Sequence, residues 1–396
     1  MVIGVGPNGR LAAPIPDEAA LVAGGERHLE HHAPADVATE PVPGDLVEAV
    51  ARIEAVEGTV AVLASGDPGW FGIVRRLAAA VGDDRLEVHP APSAVAGAFA
   101  SIATPWEDAA VVSAHGRDPR AAVAAALAHA KVAIMTDPAT PPCELARSLL
   151  AAGCGERRVV IAARLGHADA EIHDTDLAGA ATLRTADPNV VLLLDPARLD
   201  SDRRVLAHVP PGTPWARPTA AYQHRDGQIS KPAVRALALA HLGAGHGRLL
   251  WDVGCGSGSV AVEAARLGAG VVAVDRDPAQ LERAWHNAAD HGVGLGLVAG
   301  EAPAILEGLP DPDAVFVGGG GRDLAALLEV VARRCRDRLV VGLATIERIG
   351  PAIEQLTAAG WHTSSQLVEV HDLAPLGDGH RLAPQNPVLL ILAERP

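Results

Sequence analysis

The chain has 396 residues, enough for two or three domains that each bury a core, and its longest apolar stretches are broken by charge, as "AAVAAALAHAKVAIM" is by His129 and Lys131, so no transmembrane helix is expected. A formal net charge of -15 weighs against nucleic-acid partners, whose binding needs a basic face to displace counterions. Cys143, Cys154, Cys255 and Cys335 form no C-x-x-C pair and have no histidine at metal spacing, so no metal site or disulfide framework is expected; a reducing cytoplasm fits, as does an opening without a basic secretion leader.

The first predicted element is a strand running into a glycine turn, "VIGVGPNG". Gly4, Gly6 and Gly9 formally satisfy G-x-G-x-x-G, so a nicotinamide dinucleotide site is one reading. Pro7 weighs against it by removing an N–H that a pyrophosphate would use, and no strand ends in an acidic residue at the required distance. Next, "TVAVLASGDPGWFGIVRRLAAAV" reads as strand, turn over Ser65, Gly66, Asp67 and Pro68, then helix. "LEVHPAPSAVAGAFASI" repeats the pattern with a turn from Pro90 to Ser93 and a helix from Ala94, and "AAVVSAHGRDPRAAVAAAL" places His115 at a strand end. "AKVAIMTDPATPPCELARSLLAAG", "RRVVIAARLG" and "NVVLLLDP" continue the alternation, which predicts parallel α/β layers with ligands at the carboxyl ends of the strands. Asp67 and His115, each directly after a strand, are candidates to line a cleft; a capping role competes for Asp67.

Residues 197–222, rich in arginine and proline, show neither helical nor strand period and read as a linker between units 1–196 and 223–396. The second unit opens with a helix in "GQISKPAVRALALAHL" and then "LLWDVGCGSGSVAVEAARLG", a strand turning into a helix through glycines 254, 256 and 258. Such a loop offers free N–H groups and the positive end of a helix dipole. The dinucleotide fingerprint wants its third glycine one place later, where Ser259 stands, so the spacing favours a compact nucleoside ligand. "GVVAVDRDP" ends a strand at Asp275, whose carboxylate can accept both ribose hydroxyls. With no phosphate-binding lysine, these parts describe a site for S-adenosylmethionine (SAM), with Gly254, Cys255, Gly256, Ser257, Gly258, Asp275 and Arg276 as cofactor candidates. "FVGGGG" follows the fourth strand, and its glycines, Gly318, Gly319 and Gly320 among them, leave room for a broad flat substrate and point N–H groups at its carboxylates. Glu347, after the strand "LVVGLAT", and His371, His380 and Arg381 near the end are candidates for the same mouth, with Glu347 and His380 as proton-transfer groups and Arg381 on the substrate. The closing strands predict an antiparallel edge hairpin completing a seven-stranded sheet.

These motifs resemble known families in both halves. "GVGPNG", "ASGDPGWFG", "PAPSAVAGAFA" and "SAHGRD" follow in the order of the tetrapyrrole methylase family, and "GQISKPAVRAL", "WDVGCGSGSVAVEAA", "AVDRDP", "VAGEAPAIL" and "NPVLLIL" resemble its class I methyltransferase partner. The fused pair is similar to the decarboxylating precorrin-6Y methyltransferase family of cobalamin biosynthesis. The resemblance implies an α/β chain with two parts. The first is an N-terminal tetrapyrrole methylase of two α/β subdomains (a class III methyltransferase). The second is a C-terminal, Rossmann-like class I SAM methyltransferase with a seven-stranded sheet. It further implies methylation of carbons 5 and 15 of a precorrin, loss of the ring C acetate carboxyl, two SAM sites per chain and a homo-oligomer. Gly6, Pro7, Ser65, Gly66, Asp67, Pro68, Ser93, Ala94 and His115 would serve the first cofactor site, and Ser230, Glu301 and Ala302 would join the second. Asn8 stands where tetrapyrrole methylases usually have glycine, Glu301 where class I units usually have aspartate, and Ser230 where threonine is common.

The chemistry suits such parts. Transfer of a sulfonium methyl is an in-line displacement needing mainly proximity and alignment, and an enamine-like meso carbon is itself the nucleophile. Decarboxylation needs a proton donor as well. Two other readings remain at this point, an NADP-dependent oxidoreductase using the first glycine turn and an RNA methyltransferase; the acidic balance and the lack of N-P-P-Y after the fourth strand weigh against the second.

Overall fold

The computed structural model describes residues 1–42, 46–70, 73–199, 215–225, 229–318, 321 and 323–396. The first sheet contains Val2–Val5 (β1), Ala19–Gly24 (β2), Ala38–Pro41 (β3), Thr59–Ser65 (β4) and Val88–His89 (β5), in the order β3-β2-β4-β1-β5. All its pairs are parallel, as the alternation predicts.

The second sheet departs from that expectation. Ala110–Ser113 (β6), Lys131–Met135 (β7), Arg158–Ala163 (β8), Glu171–Asp176 (β9) and Asn189–Leu194 (β10) lie in the order β6-β7-β10-β8-β9, and only β6 and β7 run parallel. β10 is antiparallel to both neighbours, and β8 to β9. The reason is physical. "NVVLLL" is buried along its whole length, and a strand covered on both faces reads as a continuous apolar run whichever way its neighbours point.

The third sheet has Leu249–Val253 (β11), Gly270–Asp275 (β12), Gly296–Ala299 (β13), Ala314–Gly318 (β14), Arg338–Leu343 (β15) and His362–Val368 (β16). Two further strands, His371–Leu376 (β17) and Gly379–Pro384 (β18), pair only with each other, and Val388–Glu394 (β19) returns to give the order β13-β12-β11-β14-β15-β19-β16. This is the expected seven-stranded sheet closed by an antiparallel pair, β19 and β16. The β17–β18 hairpin is an insertion within that pair. Because β16 runs parallel to β15, the hairpin leaves the sheet at the edge where β11, β14 and β15 end, and it carries His371, His380 and Arg381.

Helices Pro232–Leu242 and Ser259–Arg266 cover one face of this sheet against Leu250, Val271, Ala273 and Phe316. On the other face, Leu324–Arg334 packs against the core that holds Val315, Val317, Leu339 and Val341. Between β13 and β14 only the short 3-10 helix Ala304–Gly308 forms, and the face of β11 and β12 is covered from the first unit, by Arg120–Ala128. Ala122 to Leu127 are all buried, as expected for a helix apolar all round that lies between two sheets. Small residues allow the close approach. A methyl at Gly270 would run into the Ala124 backbone, and one at Gly296 into the Ala152 carbonyl. Leu297 N–H donates to Gly153 O at 3.1 Å, Arg120 pairs with Asp313, and Arg336 Nη1 lies 2.7 Å from Asp118. The two units therefore share one continuous apolar core.

Residues 216–223, within or beside the expected linker, are bonded to the second unit. Glu263 accepts hydrogen bonds from the Ala216 N–H (2.7 Å), the Arg217 N–H (2.9 Å), the Tyr222 hydroxyl (2.9 Å) and Arg235 Nε (3.0 Å). Arg235 and Glu263 are buried, and the guanidinium also lies over the Tyr222 ring and donates to the Ser230 and Arg217 carbonyls. Residues 200–214, the middle of the expected linker, lie outside the described residues.

Candidate active site

In the second unit, β11 delivers the chain into a loop where Gly254 (φ +70°), Gly256 (φ +54°) and Gly258 (φ +73°) all adopt the left-handed region that side chains resist. The neighbouring strand end meets it closely. A Cβ at Gly254 would lie 2.9 Å from Gly318 O, and one at Gly318 2.7 Å from Gly254 O, so the glycines after β11 and β14 touch backbone to backbone. The underside is pinned by Asn287, whose Nδ2 donates to Ser257 O at 2.8 Å. Ser257 is buried beneath the loop, while Gly254 is exposed and Cys255 and Gly256 are half-buried.

Asp275, at the end of β12, accepts from the Gly256 N–H (2.9 Å) and the Asp277 N–H (2.9 Å). Arg276 Nη1 and Glu301 Oε1 form an exposed pair at 3.6 Å, and Gly300 N–H donates to Asp275 O at 3.0 Å. Asp275, Arg276, Glu301 and Ala302 thus converge where β12 and β13 end. Asp252, within β11, was missed by sequence reasoning. Its Oδ2 accepts from Ala261 N–H at 3.0 Å, and its Oδ1 is buried with no partner. Burial, with the Asp275 charge adding and the Ala261 bond opposing, pushes its carboxyl up to about 7. The only signal was an acidic residue inside an apolar strand just before the glycines.

The proposed acceptor mouth is in part described. Gly318 is exposed at the end of β14; Gly319 and Gly320 lie outside the described residues. Arg348 Nη1 donates to Gly321 O, which draws the turn Ile346–Arg348, and with it the exposed Glu347, to the glycine segment. His380 and Arg381 are exposed on the β17–β18 hairpin, which rises from the same edge. Ser230 is half-buried just before the helix Pro232–Leu242, its carbonyl held by Arg235.

In the first unit, the loops after β1, β4 and β5 meet. Gly66 N–H donates to Val5 O at 2.7 Å, and any side chain at Gly4 would collide with Gly66 O and Ala91 N. A Cβ at Gly66 would lie 3.1 Å from Ser93 Cα, and Ser93 Oγ caps the helix Ala94–Ser101 by accepting from Ala96 N–H at 3.1 Å. Gly6, Pro7, Gly66, Asp67, Pro68, Ser93 and Ala94 therefore sit on one carboxyl edge, with Ser65 ending β4. Asp67 Oδ1 accepts from Gly69 N–H at 2.8 Å, so its local turn role is present. His115 belongs to the second subdomain, exposed and bonded toward the β7 side, where its Nδ1 lies 3.4 Å from Thr136 O. The subdomains face each other through Trp70 and Trp106, ring centroids 6.5 Å apart, and through Arg27 and His167, 3.1 Å apart.

The dinucleotide reading of the first glycine turn fails. Gly6 N–H donates to Arg10 O and Gly9 N–H to Gly6 O, the turn folds back so that Leu11 bridges Val5, and the first helix begins only at Glu26. A pyrophosphate would need those N–H groups free at a helix start. Among the described residues, no group of three or more His, Cys, Asp or Glu side chains is placed to hold a metal ion.

Residues 9–181 match the family description Tetrapyrrole (Corrin/Porphyrin) Methylases, and residues 220–395 match Precorrin methyltransferase domain. A Sinorhizobium sp protein named precorrin-6Y C(5,15)-methyltransferase (decarboxylating) is 34% identical over 408 residues, covering 98% of this chain and 94% of that one. A Salmonella typhimurium protein named cobalt-precorrin-6B C(15)-methyltransferase (decarboxylating) is 35% identical over 173 residues, 42% of this chain and 89% of its own. A crystal structure of the C-terminal domain of precorrin-6Y C5,15-methyltransferase from Rhodobacter capsulatus has 34% identity and a TM-score of 0.41, covering 46% of this chain and 97% of that one.

Proposed function

The chain belongs to the decarboxylating precorrin-6Y C5,15-methyltransferase family, and from that premise we propose that it methylates a precorrin at carbons 5 and 15 and removes the ring C acetate carboxyl, using SAM at two sites per chain. The observation that carries the reading is the second unit's edge: three left-handed glycines, with the Asp275 carboxylate fixed beside them by two backbone N–H groups. These residues fit SAM. The loop is open at Gly256, where nothing lies within 4 Å of an added Cβ, and the buried, unpartnered Asp252 Oδ1 lies in the strand that feeds the loop. When bound, SAM supplies an activated methyl.

The residues of the chain do the rest. Asp275 holds the ribose hydroxyls, and Glu301 and Ala302 flank the base. Gly318 to Gly320 admit the macrocycle, Arg381 binds a substrate carboxylate, and Glu347 and His380 are the proton-transfer groups for decarboxylation. We assign decarboxylation and carbon 15 methylation to residues 223–396, and carbon 5 methylation to residues 1–196 with 197–222 as linker. The length and name of the Salmonella relative support that division. An RNA substrate is disfavoured by the net charge of -15. No helix among the described residues is long and apolar enough to cross a membrane, and a cytoplasmic homo-oligomer acting on a small tetrapyrrole is the setting we propose. Calorimetric titration of the full chain with SAM tests the two-site reading. A stoichiometry near two is expected; a value near one overturns it.

A further inference from the structure

Ser65 closes β4, and His28 stands on the helix Glu26–His32 that follows β2, the strand beside β4. His28 is only 9% exposed, yet its Nε2 lies 2.8 Å from Ser65 Oγ, and Ser65 is exposed at the edge where the three loops meet. A buried imidazole thus sits behind an exposed hydroxyl on the edge assigned to the first unit's cofactor.

We propose that Ser65 and His28 form the proton-accepting pair for carbon methylation in the first unit, Ser65 touching the substrate and His28 acting through it. The proposal rests on the reading that this unit methylates a ring carbon. The balance requires a base. As the new carbon–carbon bond forms, the bond from sulfur to the methyl breaks with its electron pair going to sulfur, and the meso carbon then carries both methyl and hydrogen. Loss of that hydrogen as a proton returns the C–H electron pair to the ring. The proton passes to Ser65 Oγ as the serine's own proton moves to His28 Nε2, and the imidazolium later releases it to water.

The surroundings keep His28 unprotonated, which leaves its Nε2 open. Burial first, and then the charges of Arg27, His32, His31 and His167, lower its pKa to about 4, so it is neutral at ordinary pH. The same basic groups suit a substrate carrying several carboxylates, whose arrival raises the imidazole's basicity when it is needed.

The test uses the full chain with His28→Gln, which keeps a hydrogen bond to Ser65 but accepts no proton. SAM stoichiometry and carbon dioxide release are expected to stay native, while carbon 5 methylation falls by roughly 100-fold or more. Deuterium at the meso carbon is expected to slow the variant more than the native chain. NMR titration of the unliganded native chain should find His28 protonating only near pH 4. Ser65→Ala should reproduce both the methylation loss and the enlarged isotope effect, and Ser65→Thr restore the native values, which separates the pair from a folding defect at His28 and from lost cofactor binding at Ser65. Native carbon 5 methylation and a native isotope effect in His28→Gln overturn the pair alone. A native chain whose first unit adds no methyl overturns the premise and the pair together.

Discussion

Asp275→Ala in the full chain is expected to lower the SAM stoichiometry from two to one and to abolish carbon dioxide release, with carbon 5 methylation retained. The carboxylate both shapes and contacts the site. Its Oδ2 and Oδ1 accept from the N–H groups of Gly256 and Asp277, fixing the glycine loop after β11 to the end of β12. In the proposed complex it also accepts from the ribose. Hydrogen bonds to a charged group contribute about 1.5–3 kcal/mol each, so losing the ribose contacts alone weakens binding by roughly 100-fold or more. Calorimetry and quantified carbon dioxide check the outcome. Loss of both SAM sites would mean that the units are coupled; unchanged binding would remove Asp275 from the site.

Glu263→Ala is expected to destabilise the second unit by about 3–5 kcal/mol, measured by urea denaturation of the full chain. The reason is Arg235, 0% exposed and held by the Glu263 carboxylate. Without that carboxylate a cation remains buried, and the N–H groups of Ala216 and Arg217 and the Tyr222 hydroxyl lose their acceptor. Removing both charges with apolar residues of similar volume, Arg235→Met with Glu263→Leu, is expected to recover only the part of the loss that comes from the unpaired cation, because the N–H groups of Ala216 and Arg217 and the Tyr222 hydroxyl still lack their acceptor. A Glu263→Ala variant within about 1 kcal/mol of native would contradict the account of this cluster.

Where the sequence carries a local pattern, it was legible. The three glycines before "SVAVEAARLG" and the aspartate ending "GVVAVD" are spaced by the geometry of a strand, a turn and the adjoining strand, and the structure places them together. What failed to appear depends on contacts between distant residues. Glu263 sits in a helix where an isolated glutamate reads as a surface position, and its partner Arg235 is 28 residues away. His28, in "ERHLEHH", reads as one of several polar helix residues; only the pairing of β2 with β4 sets it against Ser65. The closing strands read in sequence as one hairpin, whereas "GDG" turns a separate β17–β18 pair within them. "RAAVAAALA" reads in sequence as the helix of one more strand–turn–helix unit. Its apolar character all round was the sign of a helix buried between two sheets.

That helix also decides how the division of labour is tested. An isolated 223–396 fragment would bare the face carrying Trp251, Val272 and Val274 that Ala122 to Leu127 cover, so point variants in the whole chain are the sound instruments. The most direct measurement is mass spectrometry of a cobalt-free precorrin-6Y incubated with the full native chain and SAM. The expected product has gained two methyl groups and lost one carbon dioxide. A product that gains methyls with its acetate carboxyl intact, or a substrate recovered unchanged by a chain that binds SAM, would contradict it.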